Sequence, residues 1–165
     1  MPGGARFRWG RVIAATILAE ALPILLLVAV VFVYGFLREE GSPSPAEFAP
    51  RAGNWVGPVG GFVATFLFAW WAARRAPARK LAHGTAVGIG TALLDFGLAL
   101  VLAGTGAIQP LLFVSNGGRI LAGVLGGSVA RRFAHGAAVD VDVTGANQPS
   151  DQPVEFLGPD GPTSV

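Results

Sequence analysis

Cysteine is absent from this chain, which excludes disulfides, thiolate metal sites and thiol chemistry. Charge is nearly as scarce. Asp, Glu, Lys and Arg make up 13% of the residues, against about 25% in an ordinary soluble domain. Histidine occurs only as His83 and His135, and two histidines without cysteine or a close carboxylate rarely make a zinc site. Ser115 and Ser128 have no histidine at matching depth, so a Ser/His/Asp arrangement is not expected. Gly57-Pro58-Val59-Gly60-Gly61 is glycine-rich but lacks the Lys-Ser/Thr ending of a phosphate loop. These absences point away from an enzyme, a resident metal or a cofactor.

Long apolar runs take up the space instead. Hydrophobic residues are 52% of the chain, and the mean hydropathy is +0.56. The runs are Val12–Leu37, Trp55–Ala73, Leu81–Ala103 and Leu111–Ala130. A helix crosses the hydrocarbon core with about 20 apolar residues, and in lipid every backbone polar group must be paired within the segment. The expectation is an all-α integral membrane bundle of four antiparallel transmembrane helices over residues 12–135, in contact with the lipid bilayer. The first run is too long for the h-region of a cleaved signal peptide and is expected to remain as a span.

The basic residues orient this bundle. Arg6, Arg8 and Arg11 precede the first run, Arg74, Arg75, Arg79 and Lys80 separate the second from the third, and Arg131 and Arg132 follow the fourth. The opposite side carries only Arg38 and Arg51. Cytoplasmic loops hold the Lys/Arg excess, so both termini are expected in the cytoplasm. Basic residues that hug span ends are topology signals, and no nucleic-acid partner is expected. Residues 1–11 form a basic arm. Arg38–Asn54 reads as the one sizeable loop, with a single surface helical turn over Ala46–Arg51. Gly104–Gln109 is a tight turn, and Pro110 suits a first helical position. Residues 136–165 contain Asp140, Asp142, Asp151, Glu155 and Asp160 and no Lys or Arg. That composition predicts a disordered acidic cytoplasmic tail.

Small residues make stripes on three runs, as expected where helices pack closely in lipid. Gly57 and Gly61 share a face of the second, Gly84 and Gly88 of the third, and Gly123 and Gly127 of the fourth. A faint repeat joins Ala73-Arg74-Arg75 with Leu81–Val87 to Ala130-Arg131-Arg132 with Phe133–Val139. Duplicated helical hairpins and biased Ala/Gly usage both account for it.

Three ionisable residues interrupt the runs. Asp95 lies about 21 Å from the start of the third run, and Arg119 about 18 Å from the end of the fourth, at 1.5 Å per residue. Both sit on the small-residue faces, and Asn116 is one turn before Arg119. Opposite charges at one depth on neighbouring helices should pair. The Asp95–Arg119 pair either sets the register of the hairpin or forms an anion or proton site with Asn116. Glu20, about 12 Å into the first run by the same rise, has no small or basic residue on its own face. It is held as a neutral carboxyl, or joins Asp95 and Arg119 in a cluster with room for one proton.

Ile17-Leu18-Ala19-Glu20 in a first span resembles the opening of the small multidrug resistance transporters, four-helix dimers whose first-span glutamate couples drug binding to protons. This chain departs from them in its long first loop, its charges in both the third and fourth runs, and residues 136–165. Gly57-Pro58-Val59-Gly60-Gly61 followed by Thr65-Phe66 is similar to the Gly-rich Thr/Phe track of fluoride channels, but falls in the second run without their polar stretch. The whole layout resembles the small, uncharacterised four-span membrane proteins of bacteria, which implies a bacterial cytoplasmic (inner) membrane and no particular activity. Two functions follow as expectations. One is a non-enzymatic structural or accessory protein, associating through glycine-rich helix faces with itself or with a larger membrane complex. The other is a small oligomeric proton-linked transporter using Glu20 with Asp95 and Arg119.

Overall fold

The computed structural model describes residues 7–76, 78–104 and 109–145. Every regular element among them is helical: α1 (Trp9–Leu37), α2 (Pro45–Trp55), α3 (Gly61–Arg74), α4 (Lys80–Ala103) and α5 (Pro110–Gly145), with a π-helical turn at Val56–Gly60 joining α2 to α3. Three stretches are long and apolar enough to cross a membrane: Trp9–Leu37, Pro45–Arg74 and Lys80–Leu102. The fourth expected span is helical too, within α5. It is not among those three, because Ser115, Asn116, Arg119 and a run of glycines dilute its apolar content.

α1 buries only a narrow stripe, Val12, Ala15, Ala19, Glu20 and Pro23, at the three- and four-residue spacing of one helix face. Its other faces expose Leu25, Val28, Phe32 and Phe36. In water such a surface would drive association; against hydrocarbon it is the expected finish of a spanning helix.

The interior is built of small side chains. Val12, Ala15, Ala69, Ala72 and Val87 form its centre, flanked by Phe7, Phe68, Trp71 and Ala86. α4 and α5 share the largest interface and α3 and α5 the next, and glycines create both. A Cβ on Gly84 would lie 2.6 Å from the Gly123 carbonyl oxygen and from the Gly127 Cα. A Cβ on Gly126 would lie 2.7 Å from the Phe66 carbonyl oxygen of α3. Backbones approach this closely only where no side chain intervenes. Between α3 and α4, buried Thr65 donates to the Thr91 hydroxyl at 3.5 Å, and Thr91 has the carbonyls of Val87 and Gly88 within 3.1 and 3.0 Å.

Three sequence expectations change. The loop Arg38–Asn54 holds a three-turn helix, α2, rather than one turn over Ala46–Arg51. Ser44 caps it: the Ser44 hydroxyl accepts from the Glu47 N–H at 3.3 Å, and the Glu47 carboxylate accepts from the Ser44 N–H at 2.8 Å. This reciprocal cap satisfies two otherwise orphaned donors, and Pro45 fits the first helical turn. The segment 136–165, read as disordered, begins as helix. α5 continues to Gly145, through Asp140 and Asp142, because no proline breaks the chain between Pro110 and Pro149. Residues 146–165 lie outside the described residues, as do Met1–Arg6 of the basic arm and residues 105–108 of the last turn. The arm is also shorter than residues 1–11, since α1 already starts at Trp9.

Candidate functional site: a buried charge triad beside a cleft

The sequence places Glu20, Asp95 and Arg119 at similar depths on three different helices; packing brings them into one cluster. Arg119 of α5 donates through Nη1 to Glu20 Oε2 of α1, and through Nη2 to Asp95 Oδ1 of α4 at 3.3 Å. The fourth wall is α3, where Gly61 lies flat against the guanidinium. A Cβ there would stand 2.9 Å from Arg119 Cζ. One side chain therefore touches all the other long helices. The expected Asp95–Arg119 pair is present, and so is the shared cluster with Glu20.

The three members differ in access. Relative side-chain exposure is 3% for Arg119, 7% for Glu20 and 21% for Asp95. Glu20 is thus sealed by its partner, while Asp95 keeps an open side. Two carboxylates around one guanidinium leave a unit of negative charge when all three are ionised. At low dielectric such a charge is costly, so the cluster favours holding a cation or a proton.

Asn116 does not join the cluster. Its Nδ2 turns back to the Leu112 carbonyl of its own helix at 2.9 Å, one turn away, the local bond that such side chains make readily. Asn116 Oδ1 and Arg119 Nε are both buried without a hydrogen-bond partner. Buried orphans are uncommon in native interiors and mark sites of strain, function or water.

Two interruptions of regular helix lie next to the triad. Pro23 sits one turn beyond Glu20 in α1, and the π turn with Pro58 precedes Gly61. They meet: a Cβ on Gly60 would lie 3.7 Å from Pro23 Cβ. Proline removes a backbone donor and frees a carbonyl one turn back, and π turns widen the helix, often at functional positions. Beside this break opens a cleft of about 290 Å³, lined by Gly57, Pro58, Asp95, Leu112, Ser115 and Arg119, with Gln109 and Leu111 at its rim. It lies at the end of the molecule away from the paired arginines.

Of the six glycines expected at helix contacts, Gly61, Gly84, Gly88, Gly123 and Gly127 are at contacts. Gly57 is the exception. A Cβ there meets nothing within 4 Å, because the π turn rotates it away from the Gly61 face and onto the cleft. The contacts made by the other five are also internal. They lie between helices of the one chain.

His83, at first sight a lone interfacial histidine, is a satisfied structural residue. Its ring stacks on Phe7 with centroids 4.0 Å apart, its Nε2 accepts from the Arg8 N–H at 3.3 Å, and its Nδ1 lies 3.1 Å from the Arg79 carbonyl. An imidazole accepting at Nε2 and donating at Nδ1 satisfies both partners. Arg11 adds a bond to the Arg75 carbonyl at 2.9 Å, so the N-terminal arm is tied to the α3–α4 connection. Among the described residues no group of three His, Cys, Asp or Glu side chains is placed to hold a metal ion.

Comparison with known proteins finds no matching family, no similar curated protein and no similar solved structure.

Proposed function

We propose that this chain is a non-enzymatic integral membrane protein of structural or accessory type, with four antiparallel helices and both ends in the cytoplasm of a bacterial inner membrane. The single observation that carries this reading is Arg119, one buried cation held by carboxylates from α1 and α4 and seated on Gly61 of α3. Such an arrangement locks helices to one another and sets their register. The antiparallel order is supported by the glycine contacts, since Gly84 faces Gly127 while Gly88 faces Gly123. The cytoplasmic placement is supported by the Arg11–Arg75 link, which gathers basic residues at one end. Any partner meets the chain through its apolar outer faces, foremost that of α1.

A proton-linked transporter using Glu20 with Asp95 and Arg119 is the second reading, favoured by one observation: the cleft that is lined by both Asp95 and Arg119. Asp95 is the more exposed carboxyl of the cluster. Purification in mild detergent followed by native mass determination separates the two. A stoichiometric membrane partner, lost when Val28 and Phe32 of α1 are replaced by smaller residues, is the outcome expected of an accessory protein. A stable homodimer whose proteoliposomes change internal pH on substrate addition would overturn it in favour of transport.

A further inference from the structure

We propose that the cleft beside the triad binds a small organic monocation of the alkylammonium class, with Asp95 as its counter-ion. The inference goes beyond the structural role of the triad, which holds the helices whether or not the cleft is filled. It shares Asp95 with the transport reading but requires no movement across the membrane.

Charge argues first. Both terminal nitrogens of Arg119 are engaged by carboxylates, and with both carboxylates ionised the cluster carries one negative unit, which attracts a cation. Geometry argues next. Asp95 is the only carboxyl of the cluster with an open side, and only one of its oxygens is taken by Arg119 in the hydrogen bonds described. Ser115 and the Gln109 amide offer further acceptors along the same cleft, matching the three donors of an ammonium head. Size argues too. A volume of about 290 Å³ is roughly ten times the ~30 Å³ share of a water molecule, room for a small organic ion, and among the described residues no group of three His, Cys, Asp or Glu side chains is placed to hold a metal ion. Finally, Pro58 and Leu112 supply apolar wall next to the carboxylate, which suits a short alkyl group attached to the charge. Small-molecule sites have this mixture of apolar lining and a few fixed polar groups.

The absence of cysteine makes a direct test available. The variant Ser115→Cys, in the full chain in detergent or in vesicles, is modified with a charged maleimide, and the rate is measured with ethylammonium or butylammonium chloride against sodium chloride of equal ionic strength. The amine should slow modification about tenfold at ten times its dissociation constant, and Asp95→Asn should abolish that protection. Equal rates in amine and sodium chloride would overturn the proposal, as would protection that survives Asp95→Asn or protection by acetate instead. If Ser115→Cys does not fold, the thermal midpoint of the unaltered protein is read instead: a rise specific to the alkylammonium supports the site, and none overturns it. Binding without uptake into vesicles would sink the transport reading alone and leave this site standing.

Discussion

At the scale of single residues, Arg119 has the greatest leverage in the molecule. Replacing it by methionine leaves Glu20 and Asp95 facing each other without a cation. Breaking a buried ion pair from one side costs about 3–5 kcal/mol, whereas exchanging the whole group for apolar residues of similar size is often neutral. Arg119→Met should therefore be severely destabilised in reversible unfolding from detergent. The triple variant Glu20→Leu, Asp95→Leu, Arg119→Met should recover most of that loss. Recovery of folding together with loss of amine protection would show that the triad is replaceable as a structural device and not as a binding site. The glycines offer a second contrast. A Cβ at Gly84 runs into backbone at 2.6 Å, and one at Gly117 meets nothing within 4 Å. Overpacking of this kind costs about 1–3 kcal/mol, so Gly84→Ala should lower the unfolding midpoint. Gly117→Ala should hold or raise it, since alanine is the better helix former by about 1 kcal/mol.

Among the elements, α2 is the one whose existence rests on local chemistry. It has no buried residue, and it is tied to α1 by the Tyr34–Phe48 ring stack, with centroids 3.9 Å apart, and by the Tyr34 hydroxyl, which donates to the Pro43 carbonyl at 2.9 Å. Its start depends on the reciprocal bonds of Ser44 and Glu47. Losing a cap costs about 1 kcal/mol, a large fraction of what holds so exposed a helix. Ser44→Ala should speed amide hydrogen exchange at Glu47 and Phe48 by about fivefold while leaving α4 unchanged, the expected factor for about 1 kcal/mol. Unchanged exchange in α2 would mean that packing on α1, and not the cap, maintains it. The pattern Ser44-Pro45-Ala46-Glu47 is a legible signature of a helix start. The prolines and glycine before it, read as loop material, hid it.

For the whole molecule, the consequential property is sidedness. The basic residues near Arg11, Arg75 and Arg131 gather at one end, and the cleft, lined by Gly57, Pro58 and Gln109, lies toward the other. Single-cysteine variants report on this without interference from native thiols. Ser42→Cys should react with an impermeant maleimide added outside intact cells, and Lys80→Cys only after the membrane is opened. Labelling of both from the same side would be incompatible with the proposed topology. The glycine faces shape the outer surface as well. Because α4 and α5 bury them against each other and against α3, the outer surface of α1 is made of aliphatic and aromatic side chains.

Hydropathy and chain geometry by themselves determined that this is a helical protein, that three of its four long apolar runs fall in membrane-capable helices, and that Asp95 and Arg119 share a depth. These are local properties, set by backbone pairing in lipid and by a rise of 1.5 Å per residue. Tertiary structure alone decided three further matters. It delivered Glu20 to the same guanidinium, because the approach of α1 depends on how its alanine stripe seats and not on the residues around Glu20. It turned Gly57 outward and Asn116 back to its own helix, because a π turn and a local carbonyl compete with the simple helical wheel. It set Asp95 on a cleft and buried Glu20, since exposure is a property of neighbours brought together from distant parts of the chain.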